Sequence, residues 1–290
     1  MIKETAVTTD PDDQPNIAQV EYWNATVGET WARFQDQLDR QLALLGLEAM
    51  QTLAPGCGEH LIDVGCGCGH TSLELARRVG PEGAVVGVDI SQPMLEIAHR
   101  RAAAMPGLPV RFREADVQTA ALGSSVFDAA FSRFGVMFFS DPTAALANLG
   151  RSLRPGGRLA FVCWRPFADN PWMGEPLAAA LPFIPAPVPI DPLAPGPFAF
   201  ADADRVRTVL SAAGFTGIDI RPHDTRIGGG DVDQALILAL RVGPLGSVLR
   251  EDPSLAGRVS DAVRRVLEAH LTPDGVRMPA AVWIVTARRP

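Results

Sequence analysis

Apolar residues along this chain fall into short runs separated by longer amphipathic stretches, the rhythm of buried parallel strands alternating with helices. The first run is Leu61-Ile62-Asp63-Val64, broken at once by glycines at alternate positions, Gly65, Gly67 and Gly69. Thr71-Ser72-Leu73-Glu74-Leu75-Ala76 then reads as the opening of a helix. A second run, Ala84-Val85-Val86-Gly87-Val88-Asp89, is entered through the turn Pro81-Glu82-Gly83. The spacing predicts a helix over 92–105, a short alternating strand over 110–114 and a fourth strand from Phe127 into Phe134. Pro142 opens a helix with Leu146, Leu149 and Leu153 on one face, and Pro155-Gly156-Gly157 turns the chain into a fifth run ending at Trp164. Five strands alternating with four helices predict an α/β fold with a doubly wound, mostly parallel sheet.

The flanks divide by composition. Residues 1–15 carry Pro11, Asp12, Asp13 and Pro15 and read as a flexible tail. Residues 16–54 read as a helical cap, with Trp31, Phe34, Leu38, Leu42 and Leu45 recurring at steps of three and four. The cofactor-binding core follows over 55–164. Residues 165–200 hold ten of the 25 prolines, which excludes regular helix and central strand and predicts a lid segment or a stiff surface excursion. Residues 201–290 complete the core: a helix at 202–213, a strand at 217–221, a hinge at Gly228-Gly229-Gly230, a helical insertion near 231–271 and a last strand at 281–288.

A strand, a glycine turn and a helix N-terminus together make a cofactor cradle. The spacing here is G-x-G-x-G with an acid two residues before it, not the dinucleotide G-x-G-x-x-G. Asp89 lies where α/β nucleotide folds place a carboxylate for a ribose diol; it is also placed to cap the next helix, a job that suits Ser91. His70 follows the turn directly, and His223 lies in Arg221-Pro222-His223-Asp224; each reads as a general base or as a structural residue. Arg133 reads as a holder of a substrate anion or as the partner of an acidic neighbour.

Composition narrows the field modestly. An apolar fraction of 47% over 290 residues allows a large core, and a formal charge of −7 argues against a nucleic-acid binder. Apolar runs of membrane-spanning length and a signal peptide are both missing, so the expected setting is cytoplasmic without membrane insertion. Cys57, Cys66, Cys68 and Cys163 imply no disulfide framework, and the single-residue gap between Cys66 and Cys68 is wrong for zinc; no metal is expected.

Together these residues resemble the class I S-adenosylmethionine-dependent methyltransferases, in the small-molecule branch related to the ubiquinone and menaquinone C-methyltransferases. The carriers are Asp63-Val64-Gly65-Cys66-Gly67-Cys68-Gly69, Gly87-Val88-Asp89-Ile90-Ser91 with Met94, Ala115-Asp116-Val117, Phe127-Asp128 and Leu153-Arg154-Pro155-Gly156-Gly157. The resemblance implies a Rossmann-like sheet of seven strands with the last antiparallel, S-adenosyl-L-methionine as cofactor and S-adenosyl-L-homocysteine as product. It implies that Gly65, Cys66, Gly67 and Gly69 admit the methionine portion and that Asp63 orients the turn or meets the ammonium. Asp89 would accept the ribose hydroxyls, Ile90 and Met94 would pack on adenine, Asp116 and Val117 would read its edge, and Ser132 would face the ligand.

No Asn-Pro-Pro-Tyr or Asp-Pro-Pro-Tyr follows the fourth strand, so base amino-methylation lacks its signature. The run Ser132-Arg133-Phe134-Gly135-Val136-Met137-Phe138-Phe139 suits an aromatic or apolar small-molecule acceptor instead. Its expected pocket is Tyr22, Trp31, Arg133, Phe134, Met137, Phe138 and Trp164, with catalytic candidates His70, Arg133 and His223. No nucleic-acid partner is expected, and a homodimer is allowed. Two alternatives stay open: an NAD(P)-dependent oxidoreductase sharing the Asp89 logic, and a non-catalytic binding protein on the same fold.

Overall fold

The computed structural model describes residues 16–185 and 191–290; the tail at 1–15 and the middle of the proline-rich stretch lie outside the described residues. Five parallel strands form as the apolar runs dictate: β1 (His60–Val64), β2 (Ala84–Asp89), β3 (Val110–Glu114), β4 (Phe127–Arg133) and β5 (Leu153–Trp164). They are joined by β6 (Thr216–Gly228), the two-residue β7 (Leu271–Thr272) and β8 (Gly275–Arg288). The sheet order is β3-β2-β1-β4-β5-β8-β6, with β8 antiparallel to both neighbours and β7 paired to β8 off the main path. This is the Rossmann-like methyltransferase sheet, whose order reverses between β1 and β4. Ligands gather at such a switch point, beyond the carboxyl ends of the strands.

Helices cover both faces: α1 (Ile17–Asn24), α2 (Thr26–Arg33), α3 (Gln35–Leu53), α4 (His70–Val79), α5 (Gln92–Ala103) and α6 (Pro142–Ser152) precede β5. After it come α7 (Pro171–Ala180), α8 (Ala203–Ala212), α9 (Val232–Ala239), α10 (Gly243–Glu251) and α11 (Ala256–Ala269). Leu45 of α3, Phe131 of β4 and Phe161 of β5 are fully buried in the main core. Burying one such side chain stabilises by roughly 1.5–3 kcal/mol. A separate apolar cluster, including Leu245, Val259, Val263 and Met278, lies between α10, α11 and the near end of β8. No single described helix is long and apolar enough to cross a membrane.

Three expectations change. A regular helix, α7, does form in the proline-rich stretch, because Pro171 occupies its first turn, where no backbone donor is needed, leaving Pro176 as the interior exception. β6 and β8 run well beyond 217–221 and 281–288, since they pair with each other from Thr216↔Arg288 to Gly228↔Arg277. Pro222 interrupts the sequence pattern but is tolerated in β6, an edge strand. The expected hinge is not one: Gly230 bridges to Gly275, and a Cβ on Gly228 would fall 2.3 Å from the Val276 carbonyl oxygen, so these glycines admit a close backbone approach.

Candidate active site

The carboxyl ends of β1, β2, β4 and β5 open into one cavity of about 970 Å³, at the upper end of the range for small-molecule sites. The turn after β1 forms one wall, and its glycines serve separate purposes. Gly65 has φ +66, and a Cβ there would sit 2.7 Å from the Cα of Gly135, in the loop after β4. Gly67 has φ +53 and is the open position: a Cβ would meet only the Met94 sulfur, at 3.7 Å. Gly69 does not reach the cavity; a Cβ there would collide with the Phe112 ring at 2.6 Å, so its glycine serves packing of the turn against β3 and α5.

Asp63 and Ser132 are also withdrawn from the cavity wall, contrary to the sequence expectation. Asp63 is fully buried, and its Oδ2 accepts from Thr71 Oγ1 (2.7 Å) and Ser72 Oγ (2.6 Å), pinning the first turn of α4 to the end of β1. Burial pushes its carboxyl up to about 6 against the pull of those hydroxyls, and Oδ1 has no partner. Ser132 donates to the Val64 carbonyl at 2.7 Å and accepts from Gly135 N, tying β4 to β1.

Asp89 lines the cavity with little exposed surface. Its Oδ2 accepts from Gly67 N (2.7 Å) and its Oδ1 from Ser91 N (2.9 Å), so each oxygen keeps a lone pair for a ligand. Burial raises this carboxyl, and the two amides pull it back. Ile90, Met94, Asp116 and Val117 continue the wall, with Asp116 Oδ1 accepting from Gln118 N and the Val117 carbonyl held by Asn148. Cys66 and Cys68 also stand in it; burial holds the Cys66 thiol well above its ordinary value and Cys68 up to about 12, so both stay protonated.

The cap helices seal the Asp89 loop. Asn24 Nδ2 donates to the Ile90 carbonyl and Asn24 Oδ1 accepts from Gln92 N, each at 2.8 Å. Ser91 therefore does not cap α5; its hydroxyl donates to the Trp23 carbonyl at 2.7 Å. At the far end of α1, Asn16 Oδ1 accepts from Ser140 N.

Part of the cavity wall is aromatic. Tyr22, Trp31, Phe134, Met137, Phe138 and Trp164 all line the cavity, as do Trp23 and Trp172, so four of the five tryptophans face it. Phe134 stacks on Trp164 with centroids 4.2 Å apart and planes 9° from parallel. The Phe134 backbone reaches that position at φ +63, a left-handed conformation that a bulky residue rarely adopts and that surrounding structure must hold in place.

Neither candidate histidine reaches the cavity wall. His223 sits in the outer strand β6 opposite Val282. His70 instead joins a charged cluster on Asp39, with Nδ1 3.4 Å from Oδ2. Arg101 donates to the same oxygen and to the Cys68 carbonyl, and Arg133 Nη2 donates to Asp39 Oδ1 at 3.1 Å. Burial alone would raise the Asp39 carboxyl, but the His70 hydrogen bond and the charges of Arg133 and Arg101 bring it down to about 2. Arg133 lines the cavity, and its Nη1 is buried without a partner. Asp39, Asn24 and Trp172 were missed by sequence reasoning. Asp39 left a trace: a carboxylate beside Leu38 and Leu42 on the buried stripe of α3 requires a partner.

Residues 61–157 match the methyltransferase domain family. An O-methyltransferase of Penicillium expansum is 31% identical over 203 residues, covering 69% of this chain and 66% of its own length. A demethylmenaquinone methyltransferase of Thermus thermophilus is 42% identical over 108 residues, 37% of this chain and 48% of that protein. The chain therefore spans between about half and two thirds of these relatives. Among solved structures, a Haemonchus contortus phosphoethanolamine N-methyltransferase in complex with phosphomonomethylethanolamine and S-adenosylhomocysteine superposes with a TM-score of 0.58 at 14% identity. That match covers 95% of this chain and 59% of that one.

Proposed function

We propose that the chain, which belongs to the class I S-adenosylmethionine-dependent methyltransferases, transfers a methyl group from that cofactor to a small aromatic or apolar acceptor. The observation that carries this reading is one cavity uniting the Gly65–Gly67 backbone and two strand-end carboxylates, Asp89 and Asp116, with an aromatic wall. Open backbone at Gly67 and the spare lone pairs of Asp89 suit the methionine and ribose parts of the cofactor. Ile90 and Met94 offer an apolar slot for adenine, and Asp116 with the Val117 amide offers its polar edge an acceptor and a donor. Arg133, held through Nη2 by Asp39, brings a positive charge to the same cavity, which suits an anionic group.

When bound, the cofactor supplies a methyl group already made electrophilic by its sulfonium. The protein's part is alignment and exclusion of water: α1, α2 and the described parts of 165–200 act as covers, and the Phe134–Trp164 pair sets the plane of the acceptor. Alignment can lower such a barrier by roughly 7–11 kcal/mol. The test is calorimetry with S-adenosylmethionine and S-adenosylhomocysteine, followed by transfer of labelled methyl to a panel of hydroxyaromatics. Absence of binding to either cofactor form would sink the reading.

A further inference from the structure

Arg133 ends β4, and its side chain parts company with that of the next residue. Phe134 stacks on Trp164 at the end of β5, whereas Arg133 reaches to Asp39 on α3. A Cβ on Gly46 of α3 would lie 3.1 Å from Arg133 Cδ and 3.7 Å from Thr71 Cγ2, so the arginine stem and the first turn of α4 meet at that glycine. Asp39 is held in turn by Arg101, which also donates to the Cys68 carbonyl at 3.0 Å. The guanidinium is thereby fixed beside the glycine turn, with Cys68 and Thr71 on the same cavity wall.

The Arg133 side chain is 12% exposed and borders the cavity. Its donors divide: Nη2 is held by Asp39, Nη1 is enclosed, and Nε is neither hydrogen-bonded nor enclosed among the described residues. Asp39 does not depend on Arg133 for its neutralisation, since Arg101 and His70 both sit on its other oxygen. An arginine held this way offers a charge and an N–H to an anion in the cavity, and little of its side-chain freedom is left to lose on binding.

Resting on the methyltransferase reading, we propose that Arg133 holds the carboxylate at the methionine end of the cofactor, rather than an anionic group of the acceptor. The glycine turn that would take this end lies on the Arg133 side of the β4 terminus, and the Phe134–Trp164 stack lies on the other. Asp89 and Asp116 would take the nucleoside. The cofactor is then read by charge at both ends, with acids at the nucleoside and an arginine at the amino acid.

Calorimetry on the full chain compares S-adenosylhomocysteine with its decarboxylated form, which keeps nucleoside, sulfur and amine, and with methylthioadenosine, which keeps only nucleoside and sulfur. The wild type is expected to prefer S-adenosylhomocysteine over the decarboxylated form by at least about tenfold, and Arg133→Gln to bring the two within about threefold. Methylthioadenosine should bind wild type and variant alike, a readout that general loosening of the fold would move. Arg133→Gln leaves Asp39 its contacts with Arg101 and His70. Should it nonetheless not fold, Arg133→Lys keeps a charge beside Asp39 but loses Nε, and should cut the preference at least about threefold. A preference that survives unchanged in a folded variant, a wild type indifferent to the carboxylate, or equal weakening of all three ligands in the variant overturns the proposal. Methylthioadenosine binding in those titrations leaves the cofactor assignment standing, whereas a wild type that binds none of the three strikes that assignment instead.

Discussion

Asn24 holds the start of a helix 68 residues away: its Oδ1 accepts from the Gln92 amide while its Nδ2 donates to the Ile90 carbonyl. One cap side chain thus closes the loop that begins at Asp89 and ties the N-terminal helices to it. Asn24→Ala should destabilise the protein by about 1–2 kcal/mol, the ordinary worth of a helix cap. It should also release α1 and α2 to protease in the presence of S-adenosylhomocysteine. Thermal melts and limited proteolysis read the two effects; unchanged cleavage would mean the helices are held elsewhere.

If Asp89 holds the ribose as proposed, Asp89→Ala should weaken S-adenosylhomocysteine by about 2–4 kcal/mol, since bonds from the hydroxyls to this enclosed carboxylate are charge-assisted. Because burial raises this carboxyl, affinity in the wild type should fall with acidification before an ordinary aspartate would titrate. Calorimetry across pH checks both, and a folded variant with wild-type affinity refutes the assignment.

Asp39 makes a signed pH prediction. Its folded value, about 2, lies below the ordinary 3.8, so the stabilisation it supplies is present above pH 3.8 and lost as pH falls towards 2. Asp39→Ala should remove about 2–4 kcal/mol near neutrality by stranding Arg133 and Arg101, and should flatten that acid limb. Urea unfolding at several pH values measures it.

Asp63 carries the opposite sign. Raised to about 6 from 3.8, it favours the folded state fully below 3.8, and that contribution is lost as pH rises through 6. Asp63→Asn, whose carbonyl can still accept from Thr71 and Ser72, should be more stable than wild type by about 2 kcal/mol at pH 8, the gap closing on acidification. A gap that persists unchanged at low pH would place the effect elsewhere.

With an acceptor in hand, His70→Ala and His223→Ala should each retain kcat within about tenfold, because a true general base contributes about 10²–10⁴-fold. Phe134→Ala should lose more, through misalignment of the acceptor. A hundredfold loss confined to one folded histidine variant would restore that residue as the base.

The local pattern alone determined much of this protein. Strand runs, glycine spacing and the Asp89 position are properties of a few neighbouring residues, so the parallel core and the edge where its cavity opens could be read directly. Sequence could not say which glycine faces a ligand: Gly67 looks into the cavity while Gly69 lies against Phe112, a difference set by how β3 and α5 pack on the turn. Nor could it foresee the extent of β6 and β8, whose partners are each other across Pro222, or the helix that forms around Pro171 and Pro176. The Asp39 cluster draws Arg101, His70 and Arg133 from three separate elements, and it turned the nearest histidine from a candidate base into a support. Backbone conformation and burial of short apolar runs are local; the partner of a buried charge and the direction of a turn are fixed only when distant elements meet, and tertiary packing decided both.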